Sequence, residues 1–63
     1  MLVYSKQFFS FVTPEGAMTT KLSTGTSAWL DGENVRFLDG KLELNTTNSA
    51  FNEVDAVYHY QVI

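Results

Sequence analysis

Sixty-three residues with no cysteine, one histidine and a formal charge of −3 describe one small domain with no disulfide staple. A chain this short buries only about 60% of its unfolded surface, so order must come from a well-packed sheet or from self-association. One His without Cys cannot close a structural zinc site, and the four basic residues (Lys6, Lys21, Arg36, Lys41) are scattered, which argues against nucleic-acid binding, since that needs concentrated positive charge.

No apolar run approaches the ~20 residues of a membrane span. The opening Met1-Leu2-Val3-Tyr4-Ser5-Lys6-Gln7 lacks the basic region and apolar core of a signal peptide. Neither a membrane location nor classical secretion is therefore expected. Asn45-Thr46-Thr47 matches the glycosylation acceptor pattern but reads, without a secretion signal, as Asn and Thr at a strand end.

Along the chain, residues 2–12 are apolar and aromatic (Leu2, Val3, Tyr4, Phe8, Phe9, Phe11, Val12). Alternation fails at Phe8-Phe9, which leaves a strand buried on both faces, a bulged strand or a short helix. The aromatic and β-branched content favours strand. Thr13-Pro14-Glu15-Gly16 is a turn, with Pro14 pre-setting φ at the second position and Gly16 suited to the fourth. It joins strand 8–13 to a weakly alternating strand over 17–23. Ser23-Thr24-Gly25-Thr26-Ser27 reads as a loop or bulge, and a strand over 27–30 leads to Asp31-Gly32.

If Asp31-Gly32 is a two-residue turn, Leu30 faces Glu33 and Ala28 faces Val35. Trp29 then lies beside Asn34 on the sheet's other face, near Leu38. There, Trp29 is either part of a satellite core or an anchor for a partner, a role in which Trp is enriched.

The next stretch is the clearest in the chain. Asp39-Gly40 between two alternating runs is the strongest short hairpin signal, because a type I′ turn needs positive φ at both central positions. That turn sets strands 33–38 and 41–46 in register, with Leu38 opposite Lys41, Phe37 opposite Leu42, Arg36 opposite Glu43 and Val35 opposite Leu44. The period of two gathers Val35, Phe37, Leu42 and Leu44 on one face. Arg36 and Glu43 form an opposite-charge pair on the other, beside Leu38.

Thr46-Thr47-Asn48-Ser49 is a polar break. Val54, Ala56, Tyr58, Tyr60 and Val62 alternate with the residues between them, so 54–62 reads as a strand, with a helical turn started by Ser49 over 49–54 as an option. The sum is a mainly β fold: a small antiparallel meander sheet or partly open barrel of 4–6 strands. The rival is α+β, with 49–60 helical and packed on the sheet's apolar face.

Catalysis is poorly provided for. Asp55 and His59 stand about 13 Å apart along a strand at the usual rise per residue, too far for a dyad. Asp31 and Asp39 have local work in turns. No segment has the acidic alternation of a calcium loop, and the isolated glycines form no phosphate-binding loop. No enzyme activity, cofactor or metal is expected.

Residues Trp29-Leu30-Asp31-Gly32-Glu33-Asn34-Val35-Arg36-Phe37-Leu38-Asp39-Gly40-Lys41-Leu42-Glu43 resemble a local motif of short-tailed phage nozzle or DNA-stabilisation tail proteins. In those proteins a Trp and a turn precede a Val-Arg-Phe strand, followed by a turn and a strand carrying Glu. They are far longer, with a β-propeller body, and the Gly-Gly-Trp that often follows their motif is replaced here by Asn45-Thr46-Thr47. The resemblance implies a phage-encoded β protein; a structural part of a virion is then one job for it, and a virion or a host cytoplasm its expected location.

The expected function is therefore a non-enzymatic protein-interaction module. Its partner is itself, as a homo-oligomer, or a larger assembly, and its surface is drawn from Trp29, Arg36, Leu38, Glu43, Tyr58 and Tyr60. One alternative is a small inhibitor that blocks a host protein. A second is a small-ligand or oligonucleotide-binding β-barrel, which expects exposed Tyr58 and Tyr60 beside basic residues.

Overall fold

A computed structural model describes residues 1–62 of the chain. Its strands are β1 (Leu2–Tyr4), β2 (Phe8–Thr13), β3 (Gly16–Lys21), β4 (Thr26–Asp31), β5 (Val35–Leu38), β6 (Lys41–Leu44) and β7 (His59–Gln61), with one helical turn, α1 (Ser49–Asn52), between β6 and β7. The mainly β expectation holds, but no barrel closes. An antiparallel five-stranded sheet runs β4-β3-β2-β1-β7, and β5-β6 forms a separate hairpin.

The expected strand over 2–12 is two strands. Residues 5–7 turn the chain back so that Leu2 pairs with Phe11 and Tyr4 with Phe9. This turn has no Gly or Pro to announce it. It is held by Ser5, whose N–H donates to Phe8 O at 2.9 Å and whose Oγ accepts from the Phe8 N–H at 3.3 Å, the local bonding that makes Ser a turn residue. The Phe8-Phe9 irregularity in the apolar pattern is therefore a strand start.

β2 and β3 meet as expected across Pro14-Glu15, with Thr13 paired to Gly16. Thr13 Oγ1 accepts from the Glu15 N–H and donates to Gly16 O, each at 3.2 Å. β4 pairs with β3 and not with β5. This corrects the reading of Asp31-Gly32 as a two-residue hairpin turn. Instead, the Asn34 N–H bonds Asp31 O at 2.8 Å, and the turn carries the chain out of the sheet.

The reason lies in the hairpin itself. Asp39 (φ 54°) and Gly40 (φ 75°) make the positive-φ turn, and the register is the one expected, Val35 with Leu44 through Leu38 with Lys41. Its apolar side is best buried by lying over the large sheet rather than extending it. Val35, fully buried, then joins Val3, Val12, Ala17, Ala50 and Phe51 in one core, with Phe8, Leu30, Phe37 and Leu42 packed around it. Leu44 stays at the rim, half exposed.

α1 closes the rest of that face. Asn48, not Ser49, is the cap: its Oδ1 accepts from the Ala50 N–H at 2.9 Å. The single turn buries Ala50 and Phe51. The helix does not extend through residue 60, and the strand expected over 54–62 shortens to His59–Gln61, which pairs with β1. Asp55, at φ 63°, breaks extended geometry ahead of it. Among the described residues no helix is long and apolar enough to cross a membrane.

Candidate interaction surface

Cross-strand partners share a sheet face, so the register sorts the large sheet into two sides. Toward the hairpin point Val3, Ser10, Val12, Ala17, Thr19 and Leu30. Away from it, one row across the strands reads Gln61, Leu2, Phe11, Met18, Trp29, and the next reads His59, Tyr4, Phe9, Thr20, Ser27. Among the described residues no element covers this outward side. Tyr4, Phe9, Phe11, Met18 and Trp29 are each 41–47% exposed.

These five large side chains are neighbours, and together they make one apolar surface. Contiguous apolar area of this kind is uncommon on the surface of a monomer, whereas singly scattered apolar residues are ordinary. The strand positions of this face hold no Lys, Arg or Glu; Asp31 and His59 lie at its margins. His59 stacks on Tyr4, with ring centroids 5.3 Å apart and planes at 23°.

Trp29 is held in place. Its Nε1–H donates to Asp31 Oδ1 at 3.1 Å, and its ring lies over Gly16, where a side chain would collide with it. The indole therefore loses little freedom on docking, a cost that otherwise weakens association.

The structure separates the other expected surface residues from Trp29. Because β4 does not pair with β5, Leu38 points outward from the hairpin on the opposite side of the molecule, and its placement beside Trp29 is corrected. Arg36 and Glu43 stand next to Leu38, ion-paired across the hairpin as expected. Glu43 raises the pKa of the Arg36 guanidinium above its ordinary value, by the hydrogen bond first and by its charge second. They form no rim around Trp29.

Tyr58 is half-buried and structural: its hydroxyl donates to Ser49 O at 2.6 Å and accepts from the Glu53 N–H at 3.0 Å, tying α1 to the strand that follows. Tyr60 is 70% exposed near the sheet edge. With the sheet open and Tyr58 so engaged, the two tyrosines do not line a barrel.

Phe9, Phe11, Met18 and Tyr4 were not expected at a surface. The signal was present as the alternation Phe9-Ser10-Phe11-Val12, but hydropathy assigns it the wrong way round. Ser10 is fully buried and Phe11 half exposed.

An open cleft of about 420 Å³ lies between the turn at 5–7 and the loop at 53–57, with Lys6, Glu53, Asp55 and His59 among its walls. Among the described residues no three His, Cys, Asp or Glu side chains come together as a metal site would require.

The chain matches no protein-family model, no curated protein and no solved structure.

Proposed function

We propose that the protein is a non-enzymatic interaction module that docks onto protein through the outward face of its five-stranded sheet. The observation that carries this reading is the row Leu2, Phe11, Met18, Trp29, flanked by Tyr4 and Phe9, on a face that none of the described elements covers. Aromatic and Met side chains are the types enriched at protein interfaces, and charge is depleted at their centres. The single histidine is engaged at the margin of this face, stacked on Tyr4. The resemblance of residues 29–43 to phage tail proteins supports a setting within a larger assembly such as a virion.

Side chains kept for docking differ from those kept for folding in what their loss does to the isolated protein. Phe11→Thr and Met18→Thr keep strand propensity and remove apolar area. Each is expected to leave stability within about 1 kcal/mol of the parent and to reduce binding of an apolar fluorescent dye to the folded monomer, read at high dilution. If both variants unfold, the residues are core and the reading fails.

A further inference from the structure

We infer that the partner on this face is a second copy of the chain, packed sheet to sheet about a two-fold axis. The inference rests on the docking role of the face and names its occupant.

Three observations point to a copy. The first is charge. The chain carries a net −3, yet its carboxylates other than Asp31 lie on turns, on the hairpin and in the loop after α1, away from the outward face. Asp31 itself is bonded to the Trp29 indole. Two such faces meet without opposed like charges at the centre, and the remaining repulsion is peripheral and screened by salt. A strongly charged partner would find nothing there to pair with.

The second is area. Four aromatic side chains and one Met, each a little under half exposed, leave about 400–500 Å² of apolar surface per copy, given the ~150–250 Å² that an aromatic side chain can bury. Doubled, and with the polar rim of Thr20, Ser27 and Gln61 added, this reaches the ~1,200–2,000 Å² of a standard stable interface.

The third is shape. The row runs Leu2, Phe11, Met18, Trp29 in strand order β1 to β4. A two-fold axis parallel to the strands, passing between β2 and β3, sets Leu2 against the partner's Trp29 and Phe11 against the partner's Met18. The largest side chain then meets the smaller Leu2, and each sulfur meets a ring, a favourable contact. Strand directions stay within the ~30° of aligned sheet packing.

The test is solution mass by light scattering from micromolar to millimolar concentration, with Trp29 emission read on the same samples. The expected species is twice the 7.1 kDa chain mass, with Trp29 emission moving to the blue as it forms. Met18→Lys buries an ammonium in each of the two copies, so association should weaken at least about 100-fold. Phe11→Thr is the second variant, in case the lysine disturbs folding. Leu38→Lys, on the opposite side, should leave the dimer intact. The chain has no cysteine, so Ser27→Cys and Gln61→Cys supply single thiols. A flexible bismaleimide should link the two variants when mixed and should link neither variant efficiently to itself.

A parent protein that stays monomeric at millimolar concentration overturns the inference. The docking reading survives that result if the apolar dye still binds and Met18→Thr abolishes the binding. A dimer lost in Leu38→Lys and kept in Met18→Lys overturns both.

Discussion

The indole of Trp29 rests on the backbone of Gly16. A Cβ at Gly16 would stand 2.6 Å from Trp29 Cζ2 and 2.2 Å from Leu30 O, and Gly16 holds φ at +149°, a region that side chains avoid. One residue without a side chain thus lets β4 close on β3 and seats the most prominent aromatic of the outward face. Gly16→Ala is expected to cost about 2–4 kcal/mol in a denaturant titration and to shift Trp29 fluorescence in the native baseline.

Gly40 provides the contrast. It too has positive φ, 75°, but a Cβ there meets nothing within 4 Å. Gly40→Ala should therefore cost only the left-handed backbone penalty, about 1–2 kcal/mol, with Trp29 emission unchanged. Equal losses at the two glycines would contradict the steric role assigned to Gly16.

Ser10 is fully buried in the middle of β2, and its Oγ has no hydrogen-bond partner among the described residues. An unpaired buried hydroxyl is a standing cost. Ser10→Ala should raise stability by up to about 1 kcal/mol, read as a higher thermal midpoint. A clear loss would mean that the hydroxyl is bonded in solution.

Tyr58→Phe removes both bonds that its hydroxyl makes, to Ser49 O and from the Glu53 N–H. The expected loss is about 1 kcal/mol. Faster amide exchange should follow at residues 50–53, and the solution mass should stay that of the parent. A change of mass without faster exchange would instead return Tyr58 to the interface.

Arg36 and Glu43 form a pair in which both side chains are a little under half exposed. Exposed pairs contribute little to stability and are screened by salt. Glu43→Gln should shift the thermal midpoint slightly at low ionic strength and not at all in concentrated salt. Because Glu43 raises the pKa of Arg36, the guanidinium's share of the pair's stability is complete below its unfolded pKa and is lost only as pH climbs through the raised folded value. No alkaline loss from this group is expected near neutrality.

The parts legible in the sequence are those whose cause is local. Asp39-Gly40 requires positive φ, and that requirement alone set the register of Val35, Arg36, Phe37 and Leu38 against Leu44, Glu43, Leu42 and Lys41. Thr13-Pro14-Glu15-Gly16 was readable for the same reason. The turn at 5–7 was not, because Ser5 makes it by side-chain bonding that composition does not flag.

The candidate surface was legible only through Trp29, and only as a choice between core and interface. A strand offers two faces, and in β2 both carry large apolar residues: Phe8 and Val12 on one, Phe9 and Phe11 on the other. Period-two alternation separates these sets but says nothing about which lies inward. Tertiary structure made that choice. The β5-β6 hairpin and α1 settle over the side holding Ser10, Ala17 and Thr19, where small side chains let a second layer approach. The side holding Phe11, Met18 and Trp29 faces outward.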